Sequence, residues 1–154
     1  MSTATAFARS AAGSLPAVLL VEDNPDDAVL IREAYVRTRV ANPLAVARDG
    51  LEALALALDP SIDERPGLML LDLVLPRLSG FEVIARLRGS PRTMTMPIVV
   101  LSSSSERDDI GASYAAGANS YLVKPLEFTS LERLLRHATH YWLRHNERPP
   151  RFET

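Results

Sequence analysis

The chain has 154 residues, 47% hydrophobic and 23% charged, a composition typical of one globular domain with a sizeable core. A formal net charge of −2 argues against a nucleic-acid surface, since neutralising phosphates requires a basic excess. Cysteine is absent, which excludes disulfides and thiolate metal sites and fits a cytoplasmic location.

The two ends of the chain differ from its middle. Residues 1–16 are mostly small or polar and contain no apolar segment of a signal peptide, so we predict a mobile tail. Residues 147–154 contain Pro149-Pro150 and are predicted to form a second tail, which leaves residues 17–146 as the domain. No apolar run approaches the ~20 residues of a membrane span, and we expect no membrane partner.

Five apolar runs alternate with amphipathic stretches along the domain. This alternation predicts five βα units, a parallel sheet, helices on both faces and right-handed crossovers. The predicted strands are 17–21, 44–47, 68–71, 98–101 and 120–123. The predicted helices are 26–39, 50–58, 80–88, 107–116 and 128–146. The pattern by itself does not fix the order of the strands.

Acidic residues follow the first predicted strand. Asn24 and Pro25 are typical of the N-cap and first position of a helix, and acids in the first turn are favoured by the helix dipole. Capping therefore explains residues 24–27. It does not explain Glu22 and Asp23, which place like charges together at the end of a strand.

Asp72 directly follows the third predicted strand. Ligands of open α/β sheets bind outside the carboxyl ends of the strands, and a carboxylate buried there needs a cation. Together with Glu22 and Asp23, Asp72 predicts a site for a hard cation. Oxygen ligands without thiol or imidazole suit Mg²⁺.

Two more polar residues follow the fourth and fifth predicted strands. Ser102 opens a serine run that could simply cap the next helix, but its hydroxyl is also placed to reach the crevice of Asp72. Lys124 is either a solvated loop residue or a mobile charge for a phosphate or carboxylate. Its bond to Pro125 is a candidate for the cis form.

Taken together, these motifs resemble the receiver domain of two-component response regulators, over residues 17–146. The matching pieces are Leu20-Val21-Glu22-Asp23-Asn24, Leu71-Asp72-Leu73-Val74-Leu75-Pro76 with Gly80, Leu101-Ser102-Ser103, Gly117-Ala118 and Lys124-Pro125. Asn24-Pro25, Ser113-Tyr114 and the lack of an output domain are most similar to the stand-alone regulators of phytochrome-type histidine kinases. The resemblance implies a flavodoxin-like (βα)5 fold with strand order 2-1-3-4-5.

The resemblance also implies a role for each polar residue. Asp72 would accept a phosphoryl group from a sensor histidine kinase, and Ser102 and Lys124 would contact the phosphoryl oxygens. The ligands of Mg²⁺ would be Glu22, Asp23, Asp72 and the backbone carbonyl of Val74. The chain would be a signalling protein that catalyses only its own phosphoryl transfer and dephosphorylation, and its output would be altered partner binding or self-association.

The family also suggests a switch. Tyr121 stands three residues before Lys124, where the family often has an aromatic switch residue. On this hypothesis phosphorylation draws Ser102 inward and makes room for the Tyr121 ring; the alternative is an ordinary half-buried strand tyrosine. Val74 and Ser104 occupy positions that influence phosphoryl lifetime in the family.

The last predicted helix carries more apolar surface than one buried face requires. Leu131, Leu135, Ala138 and Trp142 share one face, and Leu134 and Tyr141 form a second. We predict a homodimer through this helix, with Leu134, Tyr141 and Trp142 as candidate contacts. A broad stripe that faces only the core is the alternative.

Two other functions compete with the phosphoacceptor. A phosphatase of the haloacid dehalogenase type shares the Asp, Ser, Lys and Mg²⁺ set, but it requires a second acid two residues after the nucleophile, where this chain has Val74. A receiver fold that serves as a dimeric scaffold without phosphorylation is the other alternative. The intact set of Glu22, Asp23, Asp72, Ser102 and Lys124 argues against it.

Overall fold

A computed structural model of the protein describes residues 15–62 and 65–150. The five predicted strands form one parallel sheet in the order β2-β1-β3-β4-β5, which confirms the predicted fold. The strands are β1 (Val18–Val21), β2 (Leu44–Ala47), β3 (Leu68–Leu71), β4 (Ile98–Ser102) and β5 (Ser120–Val123). Of the predicted tails, residues 1–14 and 151–154 lie outside the described residues.

Five helices cover the sheet: α1 (Pro25–Arg37), α2 (Gly50–Leu58), α3 (Gly80–Arg88), α4 (Arg107–Ala116) and α5 (Phe128–His140). The prediction for α1 ran two residues too far, because Arg39 adopts a φ of 59° and leaves the helical region. The last predicted helix is also too long as an α-helix, since Tyr141–His145 form a π-helical turn closed by a bond from Asn146 N to the Tyr141 carbonyl. Within the part of the chain described, no helix is long and apolar enough to cross a membrane.

The central strands separate two hydrophobic cores. Successive side chains of a strand point to opposite faces, so a continuous apolar run supplies both cores at once. Leu19, Met69 and Val100 face α2 and α3, whereas Leu20 and Leu70 face α1 and α5. Every residue of β1, β3 and β4 is buried, and these strands therefore form the rigid centre of the molecule.

Strand register aligns the residues that follow each strand. Val21 pairs with both Ala47 and Leu71, so β1 and β3 end side by side. On the other side, Ser102 pairs with Val123. The predicted metal ligands and phosphoryl contacts therefore lie at one edge of the sheet: Glu22, Asp23, Asp72, Ser102 and Lys124.

Gly80 allows α3 to begin against the end of β3. A Cβ at this position would lie 2.7 Å from the Asp72 carbonyl oxygen and 2.8 Å from Leu73 Cα. The Gly80 N–H donates to the Leu73 carbonyl at 3.0 Å. Only a glycine fits this close backbone approach, which fixes the segment that follows Asp72.

Candidate functional site

Three carboxyl groups converge at the carboxyl ends of β1 and β3. Oxygens of Glu22, Asp23 and Asp72 lie within 4.8 Å of one another. Glu22 and Asp72 are buried, with exposed fractions of 2% and 9%, whereas Asp23 is exposed. A cluster of hard oxygen ligands that is open on one side fits Mg²⁺, which retains several waters in proteins.

Lys124 supplies the positive charge of the site. Its Nζ donates to Glu22 Oε2 at 2.7 Å and lies 3.4 Å from both Asp27 Oδ2 and Asp72 Oδ2. A backbone hydrogen bond of 2.7 Å from the Lys124 N–H to the Ser102 carbonyl fixes the position of the Lys124 backbone, from which the side chain extends. Every peptide bond among the described residues is trans, including the one before Pro125.

Asp27 is the site residue that the sequence analysis missed. We assigned the acids of the first turn of α1 to capping, and Asn24 does cap this helix by accepting from the amides of Asp26 and Asp27. The carboxylate of Asp27 additionally faces Lys124. The available signal was its place in the first turn of α1, which begins directly after the acidic end of β1.

The charge states of Glu22 and Lys124 follow from burial and from their contact. Burial raises the pKa of Glu22 to about 7, since desolvation outweighs the hydrogen bond from Lys124. Burial acts to lower the pKa of Lys124, but the Glu22 hydrogen bond and the nearby carboxylates outweigh it and leave that pKa above its ordinary value. The ammonium is therefore stable at neutral pH, whereas Glu22, with a pKa of about 7, takes up a proton as the pH falls below that value.

Backbone amides orient the buried carboxylates. Glu22 Oε1 accepts from the Asn24 N–H at 3.2 Å, and Asp72 Oδ1 accepts from the Val74 N–H at 3.3 Å. The Val74 side chain is apolar and 76% exposed, so at this position the chain contributes backbone groups to the site and no second acid.

Ser102 ends β4 and is buried, at 1% exposure. Its Oγ accepts from the Ser104 N–H at 3.2 Å. The alternative in which Ser102 caps α4 is wrong, because the N-cap residue is Glu106 and no side chain caps it. Ser104 instead contacts the start of α4, where its Oγ accepts a hydrogen bond from the Glu106 N–H at 3.2 Å.

Tyr121, the predicted switch residue, contacts the loop between β4 and α4. Its ring is half-buried against the core formed with α2 and α3, and its hydroxyl donates to the Ser104 carbonyl at 2.8 Å. The tyrosine is thus placed to sense the position of this loop. A movement of its ring on phosphorylation stays a prediction.

The candidate dimer contacts differ in exposure. Leu134 and Trp142 are half-buried and pack against the core between the sheet and α5, so the surplus apolar face is narrower than the sequence indicates. Tyr141 is 52% exposed, and its ring meets Trp142 edge to face with centroids 4.9 Å apart. Tyr141 is therefore the accessible member of the three.

A cavity of about 330 Å³ opens beside Lys124, between α1 and the start of α5. Its walls include Asp27, Leu30, Leu126 and Phe128. Lys124 and Asp27 thus border both the acidic site and a partly apolar cavity.

Comparison with known proteins identifies relatives of this arrangement. Residues 18–136 match the family profile described as the response regulator receiver domain. The probable methanogenesis regulatory protein FilR2 of Methanothrix harundinacea is 40% identical over 134 residues, 86% of each chain. Response regulator Rcp1 of Synechocystis sp. is 36% identical over 129 residues, 82% of this chain and 88% of Rcp1.

Solved structures show the same similarity. The phosphorylated cyanobacterial phytochrome response regulator RcpA matches with a TM-score of 0.80 and 35% identity, covering 88% of this chain and 99% of RcpA. The Mn²⁺-bound form of Rcp1 matches with a TM-score of 0.77 and 34% identity, over the same 88% and 99% of the two chains.

Proposed function

This chain belongs to the response regulator receiver family, and from that premise we propose that it accepts a phosphoryl group from a histidine kinase on Asp72. The observation that supports this most is the convergence of charges around Asp72. The carboxylates of Glu22 and Asp23 lie on one side, and the ammonium of Lys124 lies 3.4 Å from Asp72 Oδ2. Phosphoryl transfer depends mainly on positioning and charge neutralisation, and this set of groups supplies both.

In the proposed transfer, an Asp72 carboxylate oxygen forms a bond to phosphorus as the phosphorus–nitrogen bond to the kinase histidine breaks. Lys124 neutralises the phosphoryl oxygens and Ser102 donates its hydroxyl proton to one of them. Glu22, Asp23, Asp72 and the Val74 carbonyl would hold Mg²⁺, which supplies further charge neutralisation when bound. The Mn²⁺-bound form of Rcp1 supports a divalent cation in this role.

The proposed output is a change in partner binding or self-association, and loss of the phosphoryl group to water would return the chain to its resting state. The expected cytoplasmic location is part of the same proposal. A haloacid-dehalogenase-type phosphatase is disfavoured because the apolar, solvent-facing Val74 provides no proton for a leaving alcohol.

The first test is intact mass after incubation with a small acyl phosphate and Mg²⁺. We expect one phosphoryl adduct on the native chain, no adduct on Asp72→Asn, and none on the native chain after the metal is chelated. Asp26→Asn is the matched control, because Asp26 is an exposed acid at the start of α1 outside the converging group. A native chain that forms no adduct with this donor or with a histidine kinase would instead support the phosphorylation-independent scaffold.

We propose that the kinase is of the phytochrome type, as the similarity to RcpA and Rcp1 supports. FilR2, whose name does not refer to a phytochrome, is 40% identical against 36% for Rcp1, so a direct comparison is needed. A phytochrome-type kinase carrying labelled phosphate on its histidine should transfer it to this chain at least ~10-fold faster than an unrelated histidine kinase does, a difference of about 1.4 kcal/mol. Equal rates would contradict the phytochrome proposal and leave the phosphoacceptor proposal intact.

We also propose a two-fold homodimer through the last helix and its π-helical turn. Tyr141 carries the argument because it is an exposed aromatic ring beside the half-buried Trp142 and Leu134. In sedimentation experiments, Tyr141→Glu should shift the protein toward the monomer. Tyr114→Glu is the matched control, since Tyr114 is 50% exposed on a different helix. Equal effects of the two variants would argue against this interface.

A further inference from the structure

We propose that Asp27 is a positioning residue that restrains the ammonium of Lys124 and thereby slows phosphoryl transfer to Asp72, an inference that rests on the function proposed above. Asp27 Oδ2 accepts a hydrogen bond from Lys124 Nζ at 3.4 Å, the same distance that separates Nζ from Asp72 Oδ2. The ammonium is thus held equally far from the proposed phosphoacceptor and from a carboxylate of α1.

The start of α1 fixes Asp27 beside Lys124. Asn24 caps this helix, and its Oδ1 accepts from the backbone N–H of Asp27 at 3.2 Å, which orients the first turn. The side chain of Lys124 is only 12% exposed, so its acceptors enclose the ammonium. A lysine ammonium has three hydrogens, and three carboxylates accept from it: Glu22, Asp27 and Asp72. The ammonium therefore has one acceptor for each hydrogen before a phosphoryl group arrives.

A bound cation would change these three contacts unequally. Among the described residues, the acids whose oxygens could share one cation are Glu22, Asp23 and Asp72. Asp27 lies outside that group, and its side chain is 45% exposed. A cation would therefore offset the charges of Glu22 and Asp72, whereas the charge of Asp27 would stay in place beside Lys124. Asp27 is thus the acid that still competes with an incoming phosphoryl oxygen for the ammonium.

Helix capping is the alternative role of this acid. Asp26 and Asp27 are the two acids of the first turn of α1, where the helix dipole favours negative charge, and both donate their backbone amides to Asn24. Among the described residues, Lys124 pairs with Asp27 and not with Asp26. Asp26→Asn therefore removes the same charge from the same turn without removing a contact of Lys124. It is the matched control for Asp27→Asn.

The first measurement is the rate of adduct formation, followed by intact mass, with a small acyl phosphate at low concentration and saturating Mg²⁺. Asp27→Asn should raise the second-order rate constant about threefold, the size expected for loss of a partly exposed ion pair. Asp26→Asn should leave the rate constant unchanged, and Asp27→Glu, which keeps the carboxylate, should stay close to the native value. A damaged fold would lower the rate, so an increase separates restraint of Lys124 from a merely structural role.

The second measurement follows Lys124 directly and needs no phosphoryl donor. Lys124 is the only lysine of the sequence, so lysine labelled with ¹⁵N at Nζ gives a single ammonium signal in nuclear magnetic resonance spectra. This signal should shift in Asp27→Asn and stay in place in Asp26→Asn, both without Mg²⁺ and with it.

Three results would overturn the inference. They are a rate in Asp27→Asn no higher than the native rate, an equal increase in Asp26→Asn, and an unmoved Nζ signal in Asp27→Asn. Failure of the proposed function gives a different result, since the native chain then forms no adduct whatever the Nζ signal of Lys124 shows.

Discussion

The ends of β1 and β3 and the start of helix α4 lie at the same edge of the sheet, but the two regions are held in different ways. All four residues of β1 and all four of β3 are buried, and the acidic site stands directly on them. Of the ten residues of α4, only Ser113 is buried. Precise chemistry requires a rigid support, whereas a segment that responds to it must have a low free energy of rearrangement. The acidic site stands on a rigid support of this kind, whereas α4 has little buried area to hold it in place.

Because little of α4 is buried, hydrogen bonds hold its two ends in place. At its C-terminal end, Gly117 adopts a φ of 116° and ends the helix in the left-handed region. The Arg88 guanidinium donates to the Gly117 carbonyl at 2.9 Å and to Asn119 Oδ1 at 2.7 Å. Thus both ends of α4 are attached through polar contacts, with Ser104 at one end and Arg88 at the other.

The same substitution in the two regions gives the largest expected contrast. Ile84 of α3 is fully buried, and Ile84→Ala should cost about 2–5 kcal/mol of unfolding free energy because it leaves a cavity. Ile110 of α4 is half-buried, and Ile110→Ala should cost less than about 1 kcal/mol. Urea denaturation measures both values. Equal losses would mean that α4 is anchored by apolar packing after all.

Removal of Arg88 tests whether polar contacts hold the end of α4. Its guanidinium makes five hydrogen bonds, four of them to backbone carbonyls, so Arg88→Met should cost about 2–3 kcal/mol of unfolding free energy. The control is Arg86→Met, since Arg86 is exposed on the same helix and should be nearly neutral. Denaturation of the two variants side by side checks this, and a neutral Arg88→Met would contradict it.

Addition of Mg²⁺ should stabilise the acidic end of the sheet in a pH-dependent way. At a fixed concentration equal to ten times the dissociation constant measured at pH 8, Mg²⁺ should add about 1.4 kcal/mol to the free energy of unfolding at that pH. The pKa of Glu22 is about 7, so a proton competes with the cation increasingly as the pH falls below this value. The stabilisation should therefore be larger at pH 8 than at pH 6.

Thermal melts with and without Mg²⁺ at the two pH values measure this effect. Glu22→Gln should weaken the Mg²⁺ stabilisation and remove most of its pH dependence, whereas Asp26→Asn should leave both unchanged. A pH dependence that persists in Glu22→Gln would assign the titration to another group.

The smallest expected change in the free energy of unfolding comes from a substitution at Gly111, with Gly80 as the contrasting position. Gly111 lies inside α4, and a Cβ there would meet no atom within 4 Å. Gly111→Ala should therefore stabilise the chain by about 0.5–1 kcal/mol. Gly80→Ala should destabilise it, because a Cβ would approach the Asp72 carbonyl oxygen to 2.7 Å. Chemical denaturation measures the change in the free energy of unfolding for each variant. A change of the same sign in both would contradict the packing described for one of the two regions.

The sequence predicts the sheet well because its signals are local and strong. Four-residue apolar runs such as Leu68–Leu71 are typical of buried parallel strands, and each predicted strand lies within one residue of its observed bounds. The family resemblance then supplies the strand order. Helix ends are predicted less well, since the conformation of Arg39 and the π-helical turn Tyr141–His145 depend on tertiary packing.

Side-chain roles that depend on the fold cannot be predicted in this way. Four consecutive serines, 102–105, offer equivalent hydroxyl groups in the sequence, and only the path of the loop places the Ser104 hydroxyl against the Glu106 N–H. Arg88 has the pattern of an ordinary basic residue in the last turn of a helix. Its acceptors include residues 29 and 31 positions away along the chain, and only the tertiary fold brings them near.

Several carboxyl groups share the single ammonium of Lys124, and this affects the order in which a cation and an anion can bind to the site. One ammonium faces three carboxyl groups within 3.4 Å, and Asp23 adds a fourth to the cluster. The field of the cleft is therefore negative, and it repels a phosphoryl donor that is itself an anion. A divalent cation held by these carboxylates would offset this repulsion and would compete with Lys124 for Glu22. We therefore expect ordered binding, in which the cleft binds an anion only after it has bound a cation.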